Sequence, residues 1–162
     1  MIRKYKEVII LLFCLIVISQ LYLYTMFPAF KNDDSPEIIT AAYTLGICHP
    51  PGYPLFTMAG KVFSLLPAGS PAFRVNSFVI FLAMIALLLS YFIIKQIAFR
   101  FFAREDKILN FTCFFILALS FIFWNQAIEA KGGIYILNIL FSAALIYLGM
   151  KLFKGFNIKY IY

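Results

Sequence analysis

The sequence predicts an all-α, polytopic membrane protein with four transmembrane helices and short interfacial helices in its first outer loop. Three observations carry that prediction. Of 162 residues, 64% are hydrophobic and 13% charged, which is more apolar surface than one soluble core of this size can bury. The apolar residues gather into runs over 8–27, 75–98, 108–124 and 134–153, each near the ~17 to 25 residues that cross about 30 Å of hydrocarbon as a helix. The basic residues fall in small groups between those runs, so the net charge of +7 reads as a set of topology signals and not as a nucleic-acid-binding face.

The first run, 8–27, closes on Tyr22, Tyr24, Met26 and Phe27. It has the length of a span and lacks the small-residue cleavage site of a signal peptide, so it is read as retained. After it comes a loop over 28–74 that holds the acidic cluster and most of the prolines. Asp34-Ser35-Pro36-Glu37 predicts the start of a helix over about 36–45: Asp34 caps it, Pro36 suits the first turn, Glu37 reaches back in a capping box and Gly46 stops it. Ile38, Ile39, Ala41, Ala42 and Leu45 give this helix an apolar face that should lie against the bundle or the interface.

The string His49-Pro50-Pro51-Gly52-Tyr53-Pro54 must be a stiff turn, because its prolines fix φ and deny backbone donors. A second short helix is expected over 54–66, with Leu55, Met58, Ala59, Val62 and Leu66 on one face and Thr57, Lys61 and Ser64 on another. It is too short to span and reads as interfacial and amphipathic. Arg74 and Asn76 mark the return to lipid.

Lys and Arg accumulate on the cytoplasmic side, which orients the four spans. With the N-terminus inside, the inner segments hold Arg3, Lys4, Lys6, Lys95, Arg100, Arg104, Lys107, Lys151, Lys154 and Lys159. The outer ones hold Lys31, Lys61, Arg74 and Lys131, which completes the 14 Lys and Arg. Asp33, Asp34, Glu37 and Glu129 then lie outside, while Glu7, Glu105 and Asp106 mix with the inner basic residues. Carboxylate chemistry is therefore expected outside the cytoplasm. Cys14 and Cys113 fall in apolar runs and Cys48 has no evident partner, so no structural disulfide is expected.

Asp34-Ser35-x-Glu37, followed by Leu45-Gly46-Ile47-x-His49-Pro50-Pro51-Gly52-Tyr53-Pro54-Leu55 and Phe73-Arg74-Val75-Asn76, resembles the N-terminal part of the protein O-mannosyltransferase-like (transmembrane protein 260-like) family. The likeness continues through Trp124-Asn125-Gln126-Ala127 and Tyr135-Ile136-Leu137-Asn138. It implies a GT-C glycosyltransferase fold and transfer of a sugar from a polyprenyl-phosphate donor to an acceptor on the extracytoplasmic side. By the same likeness Asp34 is the catalytic carboxylate, with Asp33 its neighbour. A carboxylate there suits a general base or an orienting acceptor for the attacking hydroxyl, and an interfacial cation suits the departing lipid phosphate. Lys61, Arg74 and Lys131 stand at about the right depth for that, and Glu37, His49 and Tyr53 complete the expected substrate-binding set.

Plainer roles stand beside these. Capping accounts for Asp34 and Glu37, and snorkelling accounts for Lys61 and Arg74. His49, a lone histidine beside two prolines, fits a hydrogen-bonded loop anchor better than a metal ligand. No cofactor is required by the sequence, and a divalent cation is compatible with it.

The pattern also departs from the family, which places an acid two positions before the tyrosine where this chain has Gly133 before Tyr135. Glu129 lies six positions before that tyrosine. The family's enzymes also thread about three times as many spans, so the chain is expected to be one module of a longer enzyme, its partners being membrane lipid, the lipid-linked sugar and further spans. The expected location is a bacterial inner membrane or its equivalent. A non-enzymatic scaffold or transporter, or an inactive fragment, is the competing reading; a transporter would line a path with ionisable groups inside the spans, where the sequence offers little beyond Lys95.

Overall fold

The computed structural model describes residues 2–29, 33–102 and 106–152. These form α1 (Ile2–Thr25), α2 (Ser35–Thr44), α3 (Pro54–Ser64), α4 (Pro71–Phe102), α5 (Lys107–Leu119), α6 (Phe121–Ala127) and α7 (Ala130–Leu152). Three helices, α1, α4 and α7, are long and apolar enough to cross a membrane, and α5 with α6 makes a fourth crossing if the bent pair is one span. In lipid every backbone donor and acceptor must be satisfied within the segment, and helices of this composition do that. The chain is an integral membrane protein.

The 32-residue α4 is the central post. It packs against α1, α5 and α7 and also against the short α2 and α3, through a buried strip that includes Val75, Val79, Ala83, Ala86 and Leu87. Small residues permit the close approaches. A Cβ at Gly133 would come within 2.5 Å of Phe56 and 2.6 Å of Val79, so α7 can lie against α3 and α4 only with a glycine there. A Cβ at Gly132 would overlap the Gln126 backbone.

The run over 108–124, expected as one spanning helix, is a bent pair. Ser120 takes extended dihedrals (φ −63°, ψ 134°), and α5 and α6 meet at 59°. The Ser120 hydroxyl donates to the Leu117 carbonyl at 2.9 Å and accepts from the Phe123 N–H, so one side chain serves the end of one helix and the start of the next. Polar ties hold the bend to α1: Tyr22 donates its hydroxyl to the Ala118 carbonyl at 2.5 Å, and the Trp124 indole donates to Thr25 at 2.9 Å.

At the end of the bundle where α1 begins, Glu7, which the sequence places among the inner basic residues, is buried. Lys95 donates to Glu7 Oε1 at 2.6 Å and Tyr91 to the same oxygen at 3.0 Å, while Lys107 pairs with Oε2 at 3.1 Å. One carboxylate thus joins α1, α4 and α5. Low-dielectric burial makes such a group costly unless it is fully partnered.

The first-loop helices pack on the opposite end. Ile38, Ile39, Ala41 and Ala42 are buried while Leu45 is exposed. The left-handed residue that stops α2 is Leu45 (φ 58°) and not the expected Gly46, whose N–H closes back on the Ala41 carbonyl at 2.9 Å. On α3 the small and polar side, Thr57, Gly60 and Ser64, faces inward with Phe56, whereas Leu55, Met58 and Val62 face outward.

Candidate functional site

The cap expected of Asp34 is supplied by its neighbour. Asp34 stands at the N-cap of α2 without a side-chain capping bond, and Asp33 accepts the Ser35 N–H at 2.8 Å. The reason is a stronger partner: Asp34 Oδ2 meets Lys131 Nζ, from the first turn of α7, at 2.9 Å. Ser35 Oγ, buried beside it, accepts the Lys131 N–H at 3.3 Å. The start of α2 is therefore docked on the start of α7, and the Asp34–Lys131 pair sits at the seam, with side chains 46% and 34% exposed.

Glu37 forms no capping box. Its Oε1 accepts the His49 backbone N–H at 2.5 Å, and its Oε2 is 2.7 Å from His49 Nδ1. That clasp holds the proline-rich turn against α2. The turn includes a cis Pro50–Pro51 bond, Gly52 at φ 86° and Tyr53 at φ 44°, and the His49 ring packs edge-on to Tyr53 with centroids 6.2 Å apart. Cys48 is buried under it.

The two pairs belong to one ionic cluster. The hydrogen bond from Lys131 holds the Asp34 carboxyl below its usual range, helped by the charge of His49. The His49 ring and then its N–H do the same for Glu37. Glu37, and then the Asp34 charge, push the His49 imidazole up, against a smaller opposing effect of Lys131. Asp33 also acts on Lys131.

Lys61 and Arg74 are not brought into this cluster by any direct contact. Lys61 donates to the Tyr43 carbonyl at 2.5 Å and lies over the Tyr43 ring. Arg74 donates to the carbonyls of Ser64, Ala68 and Gly69 at 2.7, 2.8 and 2.9 Å, which staples the turn between α3 and α4. Lys131 is the cation that the fold delivers to Asp34.

Beside the cluster a cavity of about 720 Å³ opens between α5, α6 and α7, lined by Asp33, Gln126, Glu129 and Lys131 on its polar side and by Ile122, Phe123 and Ile139 on its apolar side. Glu129, six positions before Tyr135, is 4% exposed and lines this cavity. The neighbouring Gly133, where the resembling pattern has its acid, has no room for any side chain. The sequence carried one unused signal for this cavity, a serine inside an apolar run followed by Trp124-Asn125-Gln126, which marks a helix start and hence the bend. Among the described residues no three His, Cys, Asp or Glu side chains are grouped to hold a metal ion.

Comparison with known proteins identifies the family. A family model described as the protein O-mannosyl-transferase TMEM260 N-terminal domain matches residues 34–156. The protein O-mannosyl-transferase tmem260 of Dictyostelium discoideum is 32% identical over 151 residues, 88% of this chain and 16% of the relative. The mouse protein O-mannosyl-transferase TMEM260 is 47% identical over 60 residues, 36% of this chain and 8% of the relative. No solved structure matches the chain significantly. The chain thus spans a small part of the length of these relatives, and since the family model covers most of it, from Asp34 onward, the chain belongs to the family of the protein O-mannosyl-transferase TMEM260 N-terminal domain.

Proposed function

We propose that this chain is the N-terminal module of a membrane glycosyltransferase of GT-C type, which transfers a sugar, mannose being the first to test, from a polyprenyl-phosphate donor to a hydroxyl acceptor outside the cytoplasm. The observation that carries this reading is the two-sided cavity next to the Asp34–Lys131 pair. A lipid phosphate needs a cation at its head and an apolar wall along its chain, and Lys131 with Ile122, Phe123 and Ile139 offers both. Asp34, half exposed and held ionised by Lys131, stabilises the positive charge that develops at the anomeric carbon. The excess of Lys and Arg on the segments at the Glu7 end supports an orientation with that end in the cytoplasm.

Membranes containing the Dictyostelium relative with its matching segment exchanged for this chain provide a complete setting for the assay. Transfer from polyprenyl-phosphate mannose is expected to fall at least ~100-fold with Asp34→Asn, at normal insertion. Equal rates for the two proteins would remove Asp34 from the chemistry.

A further inference from the structure

We propose that His49 is the proton acceptor of the transfer, held in the required tautomer by Glu37. The inference rests on the transferase reading and assigns that site its base. An ionised carboxylate can only accept, so Glu37 Oε2 at 2.7 Å from Nδ1 requires the ring proton on Nδ1. The neutral imidazole then keeps its lone pair on Nε2. The second bond, from the His49 N–H to Oε1, fixes the backbone beneath the ring, and Tyr53 fixes the ring edge. The side chain is 45% exposed, so the imidazole is oriented on one side and open on the other. Carboxylate, imidazole and open nitrogen form the arrangement that makes an activated base elsewhere in enzymes.

Asp34 is the weaker store for a proton. Its hydrogen bond to Lys131 favours the ionised form, whereas Glu37 favours proton uptake by His49. The charged and titratable groups around the imidazole are Glu37, Asp34, Lys131 and Tyr53. The step balances as follows: the acceptor O–H gives its proton to Nε2, its oxygen forms a bond to C1 of the sugar, and the bond from C1 to the phosphate oxygen breaks, the lipid phosphate leaving with the electron pair.

His49 is the only histidine in the chain, so its ring nitrogens can be followed without assignment. In the ¹⁵N-histidine-labelled chain in lipid nanodiscs, the neutral ring is expected as the Nδ1–H tautomer with a titration midpoint above the ordinary value of about 6.5. Glu37→Gln should lower the midpoint and mix the tautomers. In the transfer assay, wild-type kcat should fall on the acid side as His49 protonates; His49→Gln should lower kcat about 100-fold with little change in KM and abolish that limb, and Glu37→Gln should move it to lower pH. An Nε2–H tautomer, or an acid limb unchanged in His49→Gln while wild type transfers sugar, overturns the role of His49 and leaves the transferase reading standing. Absence of transfer by the wild-type assembly at every pH overturns both.

Discussion

The two ends of this bundle each bring lysine to carboxylate, and they use the pairing differently. Around Glu7 the acid is buried, both its oxygens are engaged, and its partners come from α4 and α5. Around Asp34 the pair is a third to a half exposed, the helix start is capped by a neighbour, and two more acids and an imidazole stand within electrostatic reach. Burial with complete partnering makes a lock whose loss is felt by the fold. Exposure beside a cavity makes a pair that contributes little to stability and is free to exchange partners.

The largest effect on stability is expected at the buried end. Glu7→Gln takes the shared counter-charge from Lys95 and Lys107 and should destabilise the protein by about 3 kcal/mol, read by denaturant or thermal unfolding in detergent. Gly133→Ala comes next, at about 1–3 kcal/mol for a Cβ forced against Phe56 and Val79. If Gly133→Ala cost more than Glu7→Gln, close packing and not the ionic lock would be the main fastening of the helices.

The pH dependence of the exposed cluster is smaller, and its sign follows from the directions of the shifts. Asp34 and Glu37 are held low, so their contribution is complete above the ordinary carboxylate range and is lost as pH falls through their depressed values. His49 is held high, so its contribution is complete below about pH 6.5 and is lost as pH rises through its elevated value. A shallow maximum in melting temperature is expected between those limits, and it should flatten in Glu37→Gln. A steep acid-side loss that persists in that variant would assign the titration to other carboxylates. Asp34→Asn is expected to leave the melting temperature unmoved at neutral pH.

The same contrast divides what the sequence could tell. The long apolar runs behind α1, α4 and α7 declare themselves, because length and composition are local properties. The acidic and proline-rich loop was legible as the informative stretch for a similar reason, since its turn residues restrict their own backbone. Partner choice was not legible. Glu37 has its capping alternative three residues away, but the fold presents it with His49, twelve positions on, and the charged contact outcompetes the local one. Asp34 finds Lys131 only because α2 docks on α7. Glu7 reads only as one charge among inner basic residues until α4 and α5 close over it, and the bend at Ser120 hides in an apolar run whose hydropathy is that of an unbroken span.

On this proposal the Asp34 end carries the chemistry and the Glu7 end carries the fold. Melting temperature and transfer rate per folded molecule should therefore be measured on Asp34→Asn and Glu7→Gln in the same membranes. A crossed result is expected: Asp34→Asn melts like wild type and loses transfer by at least ~100-fold, while Glu7→Gln melts early and its folded fraction transfers at the wild-type rate. An Asp34→Asn protein that melts early and transfers normally would contradict it.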